Sequence, residues 1–289
     1  SVIDLPAGNY TCTITDANGC TTTASVTISQ PSGALSANIS ASTNVLCHGN
    51  NTGSATVSVS GGTTSYSYSW NSTPVQTTAT ASNLPSGSYT CTITDANGCS
   101  TTANVTIDQP GAALNVTANV TPAACQGANN GAVDATVTGG TGIYSYAWTG
   151  PNGFTAGSQD VSSLQAGVYQ LVVTDANGCT NTTSWNVNQP GLFTVSGITS
   201  SFTGGVEVSC AGGTNGSIDM TVSGATPPYN YSWTGPGGYT NSTIDISGLE
   251  AGTYTFVVTD DNGCATSQVF TLNAPQPFVL GLTSTDMRS

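Results

Sequence analysis

Apolar and small polar residues alternate along most of this chain. In GSATVSVSGG, Ala55, Val57 and Val59 fall on one side and Ser or Thr on the other. The same alternation returns with Val133, Ala135 and Val137, and again with Ile218, Met220 and Val222. A period of two predicts half-buried β-strands. No stretch carries a helical period. The aromatic runs YSYSW, YSYAW and YNYSW predict a further strand ending at Trp70, Trp148 and Trp233. The segment YTCTITDANGC, Tyr89 to Cys99, predicts a hairpin. Tyr89, Cys91 and Ile93 share one face, and Asp95-Ala96-Asn97-Gly98 makes the turn. Asp can accept from backbone two residues on, and Asn-Gly tolerates positive φ. Val105 and Ile107 then face inward on the following strand.

That hairpin occurs four times, at Tyr10–Cys20, Tyr89–Cys99, Tyr169–Cys179 and Tyr254–Cys264. Gln30-Pro31, Gln109-Pro110, Gln189-Pro190 and Ala274-Pro275 close the units, and their prolines are 79, 80 and 85 residues apart. The expected organisation is a partial repeat over 1–31, complete repeats over 32–110, 111–190 and 191–275, and the start of another over 276–289. A period near 80 with about seven short strands predicts an all-β tandem array of immunoglobulin-like β-sandwich repeats. Short Gln-Pro junctions predict a semi-rigid rod, because Pro restricts the residue before it.

Cysteine changes the picture next. Units three and four hold two Cys each, so the local pairings are Cys125–Cys179 and Cys210–Cys264, with Cys47–Cys99 by equivalence. Each repeat is then expected to carry one disulfide. A Cys91–Cys99 hairpin bridge is the rival in the second repeat. Cys12 and Cys91 align with Leu171 and Phe256, a core-facing slot that suits a buried thiol. Recurrent paired Cys imply an oxidising, extracellular setting.

Charge excludes several functions. The chain has one Arg, no Lys, one His and 14 acidic residues, for a formal charge of -13. No basic patch exists to hold a phosphate backbone, so no nucleic-acid partner is expected. An anionic membrane would repel it, and no apolar run reaches membrane-span length. A hydrolase triad needs a histidine base; the single His48 lies in a loop where other units have Gln126 and Ala211. No enzyme activity is expected, and no catalytic or metal residue is assigned. Asp16, Asp95, Asp175 and Asp260 recur in the turns, with turn capping as their expected role and a Ca²⁺ site as the alternative. No cofactor is otherwise expected. Phe154 and Tyr239, in the Gly- and Pro-rich loops TGPNGFTAG and TGPGGYTNS, are the ligand-contact candidates.

The full pattern is Cys before a Gly-Ser strand, then GG, YxYxW, LxxGxY, TDANGC and a closing QP. It resembles the SprB repeat of large surface adhesins from gliding Bacteroidetes, unit by unit along essentially the whole chain. That resemblance implies export by the type IX secretion system, display on the outer membrane as a filament, and coupling to the gliding machinery. Its implied partners are extracellular surfaces or polysaccharides. A passive stalk of another secreted protein, or a set of polysaccharide-binding modules, is the alternative.

Overall fold

The computed structural model describes residues 2–281, so residues 282–289 of the expected further repeat lie outside the described residues. Among the described residues every regular element is a strand except two short 3₁₀ turns. The chain packs as two compact units. The first comprises Ser1–Asn115 with Val137–Tyr144 and Thr174–Asn181. The second comprises Val116–Thr136, Ser145–Val173 and Thr182–Ser289. The third sequence repeat therefore contributes to both.

The first unit begins with an antiparallel hairpin, β1 (Gly8–Thr15) and β2 (Thr21–Ile28). It continues with β3 (Ser36–Thr43), β4 (Gly53–Ser60), β5 (Ser67–Trp70), β6 (Thr80–Leu84), β7 (Gly87–Thr94) and β8 (Ser100–Ile107). These form two three-stranded sheets, ordered β3-β4-β6 and β5-β7-β8. Their inner faces meet over Val45, Ala55, Val57, Trp70, Leu84, Cys91, Ile93 and Ile107, all buried. The alternation that predicted the strands therefore also sorts core from surface. Trp70 sits opposite Cys91 in the β5–β7 register, and its indole N–H donates to Thr78 O at 3.0 Å. A fully buried Trp is tolerable because that polar edge has a partner.

The second unit holds β9 (Asn115–Thr121), β10 (Gly131–Thr138), β11 (Ser145–Thr149), β12 (Thr155–Ala156), β13 (Val161–Leu164), β14 (Gly167–Thr174) and β15 (Thr180–Val187), though a few terminal residues of these strands fall in the first unit. Their sheets are ordered β13-β10-β9 and β12-β11-β14-β15. The fourth repeat supplies β16 (Thr194–Thr199), β17 (Gly216–Ser223), β18 (Asn230–Thr234), β19 (Thr240–Asn241), β20 (Ile246–Leu249), β21 (Gly252–Thr259) and β22 (Ala265–Leu272). It repeats the pattern as β16-β17-β20 and β19-β18-β21-β22. Trp233 and Phe256 pack with ring centroids 4.7 Å apart. The predicted all-β immunoglobulin-like sandwich is what forms.

The hairpin tyrosines close each corner. Tyr89 OH donates to Pro85 O at 3.0 Å, Tyr169 OH to Gln165 O at 3.1 Å and Tyr254 OH to Glu250 O at 3.1 Å. Each bond reaches back four residues, as in the tyrosine corner of antibody domains. Asp160 and Asp245 have a related structural task. Their Oδ1 atoms accept from the N–H of Ala135 and Met220, two residues past the last β10–β13 and β17–β20 ladder pairs at Val133 and Ile218.

Candidate functional site: the disulfide junctions

The cysteines pair differently from the expectation. The bridges are Cys47–Cys179 and Cys125–Cys264, each with Cα atoms 5.7 Å apart and separated by 132 and 139 residues. Cys99 and Cys210 are free and exposed. The loop cysteine of the second repeat thus bonds the hairpin cysteine of the third, and the third bonds the fourth in the same way. The expected pairs Cys47–Cys99, Cys125–Cys179 and Cys210–Cys264, one per repeat, are corrected by these bonds. So is the rival Cys91–Cys99, since Cys91 is buried and free.

The reason is the length of one strand. Cys47 lies at the end of the sandwich where β4 begins, with Val45 N–H donating to Asp108 O just past β8. Cys99 lies where β4 ends, its turn tied to Thr63. An eight-residue strand at about 3.3 Å per residue keeps them roughly 25 Å apart. A disulfide requires Cα atoms within about 7 Å. The two cysteines of one repeat therefore mark its opposite ends, and in the third repeat both Cys125 and Cys179 bond a neighbour.

Each end is shaped before the bond forms. On the loop side, Asn50 N–H donates to Cys47 O and Ala128 N–H to Cys125 O, both at 3.0 Å. The closing glutamines hold these loops: Gln109 Oε1 accepts from Gly49 N–H at 2.9 Å, and Gln189 Oε1 from Gly127 N–H at 2.8 Å. His48 Nδ1 donates to Pro110 O at 2.8 Å. The only histidine is thus used to anchor the loop.

On the hairpin side the aspartate organises the turn. Asp175 Oδ1 accepts from the N–H groups of Asn177 and Cys179, both at 2.9 Å, and Oδ2 accepts from Thr141 N–H at 2.8 Å. Asp95 makes the same three bonds with Asn97, Cys99 and Thr63. The Thr63 N–H, chief among several donors, holds the Asp95 carboxyl below its ordinary value. Burial pushes Asp175 up, but its N–H donors outweigh this and the net shift is downward. Three of the carboxylate's lone-pair sites are thereby taken up by backbone. No group of three His, Cys, Asp or Glu side chains gathers among the described residues.

A glycine makes room for this carboxylate. Gly140 has φ +63°, and a Cβ there would lie 2.9 Å from Asp175 Oδ2; Gly62 stands in the same relation to Asp95. Asn177 then spans the junction. Its Nδ2 donates to Thr141 Oγ1 at 3.0 Å and to Leu46 O, beside Cys47, at 2.9 Å. Asn262 repeats this with Thr226 Oγ1 at 2.9 Å and Ala124 O at 3.1 Å.

Phe154 and Tyr239 are half-buried and pack edge-on against the corner tyrosines. Phe154 meets Tyr169 at 5.2 Å and Tyr239 meets Tyr254 at 5.5 Å. Burial raises the Tyr254 hydroxyl above its ordinary value. Cys91 fills the expected core slot, and burial raises its thiol. Cys12, in the same register position, is exposed because β1 and β2 form a two-stranded sheet. No described helix is long and apolar enough to cross a membrane.

These are tandem immunoglobulin-like domains joined by covalent junctions. Residues 39–74, 117–153 and 206–238 match the SprB repeat. No curated protein matches it. Among solved structures it is similar to the N-terminal eight Ig domains of Down Syndrome Cell Adhesion Molecule. The identity is 13% and the TM-score 0.32, over 93% of this chain and 51% of that one. The present chain thus spans about half of that structure. It is also similar to a tetra-tandem repeat in the extending region of a large adhesion protein, at 15% identity and TM-score 0.35, over 94% and 83% of the two chains. Drosophila OTK extracellular domains 3–5 align at 12% identity and TM-score 0.30, over 74% and 87%.

Proposed function

We propose that this chain is a segment of a large extracellular adhesin filament that attaches cells to surfaces and takes part in gliding motility. Its repeats serve as the stalk and have no catalytic role. The observation that carries this reading is the pair of junction bridges, in a chain of SprB repeats. A bond that joins one repeat to the next transmits tension without relying on the folding of either.

The rest of the reading follows from the family resemblance. Export is by the type IX system, the filament is held at the outer membrane, and the gliding machinery moves it. The repeat boundaries are 1–31, 32–110, 111–190, 191–275 and 276–289. Polysaccharide recognition through Phe154 and Tyr239 is weaker as a reading, because both rings pack on the corner tyrosines. The second repeat has NSTPVQTTAT in place of that loop. No role is assigned to Ca²⁺.

The test is to label this segment with a fluorescent Fab on living cells that make it. Spots that travel along the cell body are expected. Spots that stay fixed, or collect in shed material, would replace this reading with a passive stalk.

A further inference from the structure

Three cysteines at loop or hairpin positions lack partners, Cys20, Cys99 and Cys210, and Cys99 and Cys210 stand in geometry already set for one. The turn that holds Cys99 has the same bonds as the turns of Cys179 and Cys264. Asp N–H donates to Cys O at 2.9 Å in all three, and Gly N–H closes onto Asp O at 3.0 to 3.1 Å. The loop of Cys210 likewise matches the bonded loops. Gly213 N–H donates to Cys210 O at 2.9 Å, and Ser209 N–H to Asn215 Oδ1 at 3.1 Å. The latter repeats the bond from Ala124 N–H to Asn130 Oδ1 at 2.9 Å.

The surface beside Cys99 is a crevice. It is lined by Gln30, Leu35, Gly62, Asp95, Cys99 and Ser100, among others. The corresponding crevice beside Cys179 is lined by Leu114, Gly140, Asp175 and Thr180. There it also contains Cys47, His48 and Asn50, which come from the loop of the preceding repeat. The same wall therefore appears once with a loop seated on it and once open. Asn97 agrees: its Nδ2 reaches Thr63 Oγ1 at 2.9 Å, while Asn177 and Asn262 each add a loop carbonyl.

We infer that the Cys99 crevice is a docking site for the cysteine loop of a further SprB repeat, the one preceding it in the same polypeptide. Cys210 makes the reciprocal bond to the hairpin of the repeat that follows. The filament would then be a continuous disulfide ladder in which every repeat is bonded to both neighbours. Each rung forms by thiol–disulfide exchange with a disulfide oxidant. The Cys99 and loop thiols give up two protons and two electrons, one S–S bond forms between them, and the oxidant's S–S bond is reduced to two thiols. This rests on the stalk reading but not on motility.

The test uses the full polypeptide as cells export it, alkylated without reduction, digested and mapped by mass spectrometry. The expected result is the Cys99 peptide linked to a loop-cysteine peptide of the preceding repeat. In the full-length Cys99→Ser variant that loop cysteine becomes alkylated, while Cys47–Cys179 and Cys125–Cys264 persist. An alkylated Cys99, a Cys99 bond to any other cysteine, or a disulfide-linked dimer on non-reducing gels would overturn the inference. So would a Cys99→Ser variant that exposes no new thiol. If the ladder is found but labelled filaments do not move, the motility reading fails and the ladder stands.

Discussion

Replacing Cys47 or Cys125 by serine distinguishes staggered bridges from local ones by contour length. Consider the chain pulled from its two ends until every repeat has unfolded, with free thiols alkylated beforehand. The shortest covalent path enters at residue 1 and crosses from Cys47 to Cys179. It then runs backward to Cys125, crosses to Cys264 and continues to the end. That path contains roughly 125 residues, or about 44 nm at ~3.5 Å each. In Cys47→Ser the path uses only the second bridge and lengthens by about 24 residues, roughly 8 nm. In Cys125→Ser it lengthens by about 31 residues, roughly 11 nm. Removing both adds about 163 residues, roughly 57 nm, far more than the sum of the single changes. The excess arises because the two loops overlap between Cys125 and Cys179. With three local bridges the intact path would be nearly the same length, so the wild-type chain alone decides nothing. Each single substitution would then add about 52 to 54 residues, roughly 18 nm, and the effects would add. Single-molecule force spectroscopy under non-reducing conditions reads these lengths directly. An increment near 18 nm for Cys47→Ser would refute the staggered pairing.

Other consequences can be checked on the same chain. Asp95 and Asp175 titrate below the ordinary 3.8 when folded. The unfolded state therefore binds protons first, and their stabilisation is complete above about pH 5 and lost as pH falls through 4 and below. Thermal melts should show a flat Tm above that range and a fall beneath it, shallower in Asp175→Asn than in the outward-facing control Asp134→Asn; equal slopes would contradict the role given to Asp175. Gly140→Ala combines positive-φ strain of about 1–2 kcal/mol with a Cβ pressed on Asp175 Oδ2. Gly178→Ala, also at positive φ but in open space, carries the strain alone. Urea denaturation should rank Gly140→Ala as the more damaging, and the reverse order would remove the crowding argument. Native iodoacetamide should label Cys12, Cys20, Cys99 and Cys210 and spare Cys91 until the chain is denatured; early labelling of Cys91 would contradict its place in the core.

Much of the sandwich was legible because burial and sequence share a period of two. Ala55 and Val57, Val133 and Ala135, and Ile218 and Met220 are buried. Trp70, Trp148 and Trp233 and the Tyr-x-Cys, Tyr-x-Leu and Tyr-x-Phe runs fall on that same inner face. Aspartate as turn organiser was legible too, since Asp two residues before an Asn-Gly step has backbone N–H groups within reach. The roles of Gln109, Gln189, Asn177 and Asn262 were missed. Gln-Pro served as a boundary mark and Asn-Gly as a turn former, and neither pattern says that the amide side chain reaches a cysteine loop.

The pairing was misjudged because a tandem repeat conceals its own stagger. Joining loop to hairpin within a repeat, or loop to the next hairpin, uses the same residues in the same order and leaves the same count per repeat. Spacing along the chain cannot separate the two schemes. Distance through the fold can, and the means to estimate it was present in the sequence. Between Cys47 and Cys99 lies GSATVSVSGG, a strand whose alternating residues require it to cross the whole sandwich. One loop precedes that strand, and the hairpin turn ties to the residue after its GG, Thr63. The cysteines must then lie at opposite ends of the domain, about 25 Å apart. A bond between them would have to pass through the core occupied by Trp70, Cys91 and Ile93. Opposite ends are where neighbouring repeats meet, so the geometry that forbids the local bond also supplies its replacement.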